Sequence, residues 1–275
     1  MKAMVLAAGL GTRLRPLTND LPKALVTLGG RTLLEIALSR LRAFGVRELI
    51  VNTHHHADRI FEYLESNHNF GMRIEISHEP VLLDTGGGLK NAAPFFLDSS
   101  AGVREPFILH NVDVISTIDL ARMIRLHTER HALATLAVQD RETSRYLLFD
   151  PHGQLCGRRA RRAAKAETPA AENGPAGERK VEAATAMDSS DELVRPALDV
   201  QALAFTGIHI ISPSIFAKMK DEGAFSIITA YMHLAAQGEK IVAFRADEFY
   251  WCDLGRPDDL VQAEHDLSSG KYPSH

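Results

Sequence analysis

The chain reads as an α/β domain: a Rossmann-like, mostly parallel sheet with helices on both faces and a small β extension. Three observations predict this class. Short apolar runs alternate with amphipathic stretches through the first half of the chain, the pattern of βαβ units. The first run, AMVLAA at residues 3–8, carries no polar alternation, as a strand covered on both faces requires. The composition, 45% hydrophobic and 24% charged over 275 residues, supports one large buried core or two small ones.

The elements follow in order. After the strand at 3–8, residues 32–44 put Leu33, Leu34, Ala37, Leu38 and Leu41 on one helical face, and Gly45 stops the helix. A strand at 48–52, a helix at 57–65, a strand at 73–78, a helix beginning at 88–93 and a strand at 106–110 continue the alternation. A helix at 118–130 and a strand at 132–138 follow, then strands at 145–150 and 202–211, a helix at 227–237, a strand at 240–244 and a terminal helix at 257–267. Ligands of such sheets bind beyond the C-terminal ends of the strands, so chemistry is expected there.

Residues 158–200 break the pattern. They are rich in Ala, Glu, Arg and Lys, and no aromatic residue lies between Phe149 and Phe205. Alanine buries little surface to offset the ordering entropy, so the segment is expected to be a mobile insertion in a single domain spanning 1–275. A short Ala-rich helix covering the site is the rival reading.

Charge and cysteine content narrow the class. Lys plus Arg is 31 and Asp plus Glu is 35, a net charge of −4, which argues against a general nucleic-acid binder. No apolar run reaches the roughly 18–20 residues of a membrane span. The N-terminus reads as a first strand and not as a signal peptide. Cys156 and Cys252 lie far apart without metal spacing, so a reducing, cytoplasmic setting is expected.

After the first strand comes Gly9-Leu10-Gly11-Thr12-Arg13-Leu14-Arg15-Pro16-Leu17-Thr18, and then Leu21-Pro22-Lys23-Ala24-Leu25. Glycines let backbone N–H groups turn toward an anion, Arg13 adds a planar fork for phosphate oxygens, and Lys23 adds a point charge on a flexible stem. The loop lacks the Gly-Lys-Ser/Thr ending of a P-loop and the third glycine of a dinucleotide fingerprint.

The stretch LAAGLGTRLRPLTNDLPKAL resembles the signature of the sugar-phosphate nucleotidylyltransferases, the NDP-sugar pyrophosphorylase family. The likeness is strongest to short bacterial members such as N-acetylmuramate-1-phosphate uridylyltransferases and mannose- or heptose-1-phosphate guanylyltransferases. It covers most of the chain outside 158–200. It implies a nucleotide-diphospho-sugar transferase fold and the joining of an NTP, with UTP or GTP favoured, to a sugar 1-phosphate. By the resemblance, Leu6, Ala7, Ala8 and Gly9 would line base and ribose. Gly11, Thr12 and Arg13 would hold the triphosphate, and Lys23 would contact the α-phosphate and the sugar phosphate.

Glu79-Pro80 is followed by Asp84-Thr85-Gly86-Gly87-Gly88. Gly86 and Gly87 offer a flat backbone surface for a nucleobase, and Glu79 could accept from uracil N3–H or from the N–H groups of guanine. Alone, three glycines fit a flexible hinge equally well. The family carries a similar Thr-Gly-Gly turn.

The strand at 106–110 ends in His110-Asn111-Val112-Asp113, and a second carboxylate lies in Trp251-Cys252-Asp253-Leu254-Gly255. By the resemblance, Asp113 and Asp253 hold the Mg²⁺ that bridges triphosphate and sugar phosphate, with Asn111 beside the nucleotide and Asp113 beside the sugar. Magnesium takes hard oxygens from one or two carboxylates plus phosphates. Asn111-Val112 stands where many relatives have a glycine before the aspartate.

The three histidines His54–His56 cannot all face one ion, because neighbouring side chains point apart, and they read as a solvated strand end. Gly207 fits either a plain core strand or, by resemblance, a backbone contact to the sugar. The family's Glu-Lys-Pro lysine for the sugar phosphate has no counterpart here. Either Arg158, Arg159 or Lys180 substitutes for it or the contact is missing, and Arg145 and Tyr146 would border that pocket. The rival functions are transfer to another phosphorylated alcohol such as phosphocholine, a non-catalytic nucleotide- or sugar-sensing subunit, and a structural partner. Monomer and homodimer fit the pattern equally.

Overall fold

The computed structural model describes residues 1–98, 105–161 and 189–272. β1 (Lys2–Leu6) opens the chain, and the glycine loop continues into single 3-10 turns at Thr12–Leu14 and Lys23–Leu25. A minimal hairpin, β2 (Thr27–Leu28) and β3 (Arg31–Thr32), feeds α1 (Leu33–Ala43). Thr32 Oγ1 accepts the Glu35 N–H at 3.0 Å, which caps the helix with Ser/Thr-x-x-Glu spacing. Then come β4 (Glu48–Thr53), α2 (Ala57–Ser66), β5 (Arg73–His78), α3 (Asp84–Asn91), α4 (Ala93–Leu97) and β6 (Phe107–Asn111). The middle of the chain supplies β7 (Val114–Ser116), α5 (Leu120–Arg130), β8 (Ala134–Gln139), β9 (Arg145–Phe149), β10 (Leu155–Arg161) and β11 (Ser189–Leu193). The last third is β12 (Gln201–Ile211), α6 (Ile215–Lys218), α7 (Ile227–Ala236), β13 (Ile241–Arg245), β14 (Trp251–Asp253) and α8 (Pro257–Ser268).

The main sheet runs β11-β10-β9-β12-β6-β1-β4-β5, with β8 and then β13 branching from β12. The half built from the first βαβ units, β6-β1-β4-β5, is parallel. β12 runs antiparallel to β6, β8 and β9, and β9-β10-β11 form an antiparallel arm. The expected class therefore holds, with the β extension at one edge.

Alternation along β1 explains the helices on both faces. Ala3 and Val5 join one core with Leu34, Leu38 and Leu41 of α1, Ile60 of α2, Met123 of α5 and Ala263 of α8. Met4 and Leu6 join the other with Leu89 of α3, Phe96 of α4, Ile215 of α6 and Tyr231 of α7. A strand with both faces covered cannot alternate polar and apolar residues, so its sequence is a continuous apolar run. Among the described residues no helix is long and apolar enough to cross a membrane.

The segment 158–200 differs from expectation at its two ends. Residues 158–161 pair with 189–192 as β10 and β11, and Gly157 faces Leu193. Arg158–Glu192 and Arg159–Asp191 ion pairs tie the strands at 2.6 Å each. Cross-strand opposite charges replace the apolar contacts that the composition lacks. Lys180 and the centre of the expected insertion lie outside the described residues.

Three buried histidines sit in the core without charge. His127 bridges Thr135 Oγ1 (3.0 Å) and Ser212 Oγ (2.9 Å), and His209 Nδ1 meets the Tyr231 hydroxyl at 2.8 Å. Burial pulls His127 down to about 4, and pulls His110 and His209 down to about 3. Unfolded, each would take up a proton near pH 6.5, so between these limits the unfolded chain binds more protons than the native one. This contribution is fully present above pH ~6.5 and is lost as pH falls, at about 1.4 kcal/mol per pH unit for each histidine. The melting temperature is expected to fall steadily from pH ~6.5 to ~4.5, and His127→Gln should flatten that slope. An unchanged slope in the variant would remove His127 from the account.

Candidate active site

Everything of interest gathers beyond the C-terminal ends of β1, β4 and β6. The loop after β1 turns at Gly11, whose φ of +62° an L side chain rarely adopts. A Cβ there would press on Thr18 at 3.0 Å and on Lys23 at 3.2 Å. That closeness brings the Lys23 turn against the loop, and Thr18 Oγ1 closes it by donating to Gly11 O at 2.8 Å. A cavity of about 550 Å³ opens above, lined by Leu6, Ala7, Ala8, Gly9, Gly11, Thr12, Arg13, Lys23, Asn111 and Asp113. Leu10, Asn52, Leu82, Asp84, Thr85, Val112, Ala224 and Gly255 complete it.

The two aspartates, far apart in sequence, are joined by a short ladder. β14 pairs antiparallel with β7, setting Asp253 opposite Val114, and the Leu254 N–H donates to Asp113 O at 2.8 Å. Lys23 is 8% exposed, and its ammonium is in contact with Asp113 Oδ2. Asp253 Oδ1 is buried and has no hydrogen-bond partner. Burial first, and then the charge of Asp113, push the Asp253 carboxyl above its ordinary range, and Lys23 and Arg13 oppose the shift. A Cβ on Gly255 would lie 2.8 Å from Arg13 Nη2 and 2.9 Å from Asp253 Oδ1, so the guanidinium and that carboxylate flank one glycine. Among the described residues no cluster of three or more His, Cys, Asp or Glu side chains gathers around one point.

A second cavity, about 660 Å³, shares Asn111 and Asp113 with the first and adds Asp253 and Gly207. Gly207 has φ +82°, and a Cβ there would meet Asn111 Nδ2 at 2.8 Å. Glycine is needed so that β12 can pass beside Asn111. Arg141, Thr143, Arg145, Tyr146, Arg158, Arg159, Glu192, Phe205, Thr206, Ser226, Thr229 and Trp251 form the remaining polar and aromatic wall.

Three expected nucleotide contacts stand elsewhere. Glu79 is fully buried, and its oxygens accept from Asn52 Nδ2 at 2.7 Å and from the Leu83 N–H at 3.0 Å. Asn52 Oδ1 in turn accepts the Ala7 N–H at 2.8 Å. Glu79 therefore ties Asn52 to the Leu83 backbone from a fully buried position and does not line the cavity. Gly86 and Gly87 lie inside α3, and both N–H groups donate to Phe225 O. A Cβ on Gly86 would come within 2.4 Å of the Phe225 ring, and one on Gly87 within 2.4 Å of Gly223 O. These glycines allow α3 to pack on the chain before α7, and neither lines the cavity. His54 is held by Glu79 O at 2.7 Å, so it is not a free strand end.

A family model described as nucleotidyl transferase matches residues 2–270. The chain belongs to the nucleotidyl transferase family. The N-acetylmuramate alpha-1-phosphate uridylyltransferase of Caulobacter vibrioides is 34% identical over 277 residues, covering 97% of this chain and 96% of the relative. A mannose-1-phosphate guanylyltransferase of Mycobacterium tuberculosis is 27% identical, and there the alignment covers 99% of this chain but 66% of the relative. Among solved structures, HddC from Yersinia pseudotuberculosis complexed with GMP-PN aligns with a TM-score of 0.67 at 20% identity, covering 96% of this chain and 98% of that one. A UDP-glucose pyrophosphorylase complexed with UDP-glucose aligns at 0.68 and 15% identity, over 98% of each chain. These two likenesses concern the fold.

In this nucleotidyltransferase Arg13, Lys23 and Asp113 line the first cavity, and Asp113 and Asp253 line the second. Four further residues escaped the sequence reading. Asn52 ends an apolar strand, ELIVNT, and a buried amide at the ligand edge was the signal. Asp84, with φ +58°, Thr85 and Arg141 sit in loops or first turns, where residue type alone names no partner.

Proposed function

We propose that this nucleotidyltransferase moves a nucleoside monophosphate from an NTP to a sugar 1-phosphate and releases pyrophosphate. The observation that supports this reading best is the shared wall of the two cavities. Asn111 and Asp113 line both, so a triphosphate in one and a sugar phosphate in the other would meet at the same carboxylate.

An oxygen of the sugar phosphate attacks the α-phosphorus of the NTP as the bond to the β-phosphate oxygen breaks. The attacking oxygen is already anionic, so the protein need not remove a proton. Its work is positioning and charge neutralisation. Backbone N–H groups of the Gly9–Arg13 loop and the Arg13 guanidinium hold the departing pyrophosphate. Lys23 neutralises the transferring phosphoryl group. Glu79 and Asn52 keep the loop and the base side of the cavity in register, and Asp84 supplies an acceptor for a base N–H. That suits UTP or GTP, the nucleotides implied by the names of the uridylyl- and guanylyltransferase relatives.

A divalent cation fits Asp113 and Asp253. The unpartnered, buried Asp253 Oδ1 beside a second carboxylate is a pair of hard oxygens lacking a counter-charge on one side. Two carboxylates suffice for Mg²⁺, which keeps waters and takes phosphate oxygens for its other positions. When bound, it would neutralise charge on both phosphates.

The test is pyrophosphate release from the purified chain with Mg²⁺, crossing UTP, GTP, CTP, ATP and dTTP with a panel of sugar 1-phosphates. N-acetylmuramate 1-phosphate heads the panel because the Caulobacter relative is named for it. Release that needs one NTP and one sugar phosphate is expected. Release with phosphocholine alone, or NTP binding without release on any acceptor, would replace this reading.

A further inference from the structure

The second cavity contains an arginine whose surroundings are incomplete. Arg141 follows β8, and its guanidinium carbon lies 3.8 Å from the centre of the Trp251 ring. Trp251 is itself fixed, since its Nε1–H donates to Thr206 O at 2.7 Å, next to Gly207. Arg141 Nη2 donates to Phe205 O at 3.0 Å, and Nη1 reaches only Glu142 O at 3.4 Å. Its Nε is buried without a partner. Burial pulls its pKa down and Asp253 is the main charge opposing that pull, yet no carboxylate makes an ion pair with it among the described residues. Arg158 and Arg159, the substitutes expected from sequence, each already have a carboxylate partner, Glu192 and Asp191.

A half-buried guanidinium whose Nη1 has only a long backbone contact keeps donor capacity for an anion in the cavity it lines. Stacking leaves its edge as the remaining direction for hydrogen bonds, and a planar fork matches two phosphate oxygens. A staple between a loop and β12 would need only the Phe205 contact, and would not need a face-on aromatic ring in a cavity that ends at Asp113 and Asp253.

We propose that Arg141, held flat on Trp251, binds the phosphate of the acceptor and supplies the cation that Arg158, Arg159 or Lys180 was expected to supply. The proposal rests on the acceptor being a sugar 1-phosphate.

Trp251 is the only tryptophan of the chain, so its fluorescence reports this contact without any turnover. The probes are N-acetylmuramate 1-phosphate, mannose 1-phosphate and glucose 1-phosphate, with the three free sugars as controls. In the wild type at least one sugar phosphate is expected to change the emission saturably, and its free sugar is not. Arg141→Gln should weaken that binding about 30-fold. NTP affinity, read as a shift in melting temperature, should change less than about twofold, because Arg141 does not line the nucleotide cavity. Arg141→Lys keeps the charge but not the fork, and should fall between the two. If Arg141→Gln does not fold, Arg141→Lys and calorimetry carry the comparison. Equal binding in wild type and variant, an equal loss of NTP and sugar-phosphate binding, or no response of the wild type to any probe would overturn the assignment. Arg141-dependent binding of a sugar phosphate with no pyrophosphate release would leave it standing and defeat only the reaction proposed above.

Discussion

Asp113→Asn and Asp253→Asn should each lower turnover by about 10³-fold with the fold intact. Both carboxylates face the point where the two cavities meet, and both reactants are phosphates. Whatever neutralises charge there acts on the transition state more than on either ground state, so kcat should carry most of the loss. The stability side separates this from simple damage. Asp253 holds a buried carboxylate against the charge of Asp113, and its Oδ1 has no protein donor. Replacing it by an amide removes that repulsion, so the ligand-free melting temperature of Asp253→Asn should be unchanged or higher. Near-normal turnover in saturating Mg²⁺ would sink the assignment of the pair. A fall of many degrees in melting temperature would mean that the carboxylate holds the β7–β14 ladder instead.

Lys23→Gln should cut kcat/KM by about 10²-fold and, unlike Asp253→Asn, should also destabilise the protein. The ammonium is almost wholly buried on a turn whose neighbours Ala24 and Leu25 anchor it in the core, and it sits on Asp113 Oδ2. Its removal leaves two carboxylates facing each other without a cation. Breaking one side of a buried pair in this way costs about 3 kcal/mol. The double variant Lys23→Gln with Asp113→Asn should recover most of the lost melting temperature and none of the activity. Such a cycle separates the structural from the chemical share of the pair. A double variant as unstable as Lys23→Gln alone would show that the turn depends on lysine for packing and not for charge.

The residues that were legible in the sequence share one property: their use depends on neighbours close in the chain. The strand at β1 reads as buried because both of its faces are covered, and continuous apolar sequence is the consequence. The loop from Gly9 to Arg13 reads as an anion cradle because two glycines, separated by one residue, and a following cation act within a few residues of one another. Asp113 and Asp253 were legible through motif, yet nothing in either motif says that they come near each other. Pairing of Asp253 opposite Val114 in the β7–β14 ladder does that, across well over a hundred residues of chain.

Other side chains were given the wrong surroundings for the same reason. Glu79 has the chemistry to read a base, but Asn52 and the Leu83 N–H occupy both of its oxygens. A glycine run says that no Cβ fits, and does not say what fills the space. At Gly86 it is Phe225, and at Gly87 it is the Gly223 carbonyl. The arm at β10–β11 was hidden by its composition, because cross-strand ion pairs support it and register decides which charges meet.

The sequence by itself therefore determined the α/β class, the glycine loop after β1 and the identities of the charged groups, since each follows from local periodicity or from residue type. Only the tertiary structure decided which donors and acceptors were already satisfied. It buried Glu79 among protein donors, closed the glycines onto another segment, paired Arg158 and Arg159, and left Arg141 and Asp253 incomplete. Hydrogen bonds and ion pairs saturate, so a side chain can serve a ligand only with the valence that the fold has not already used.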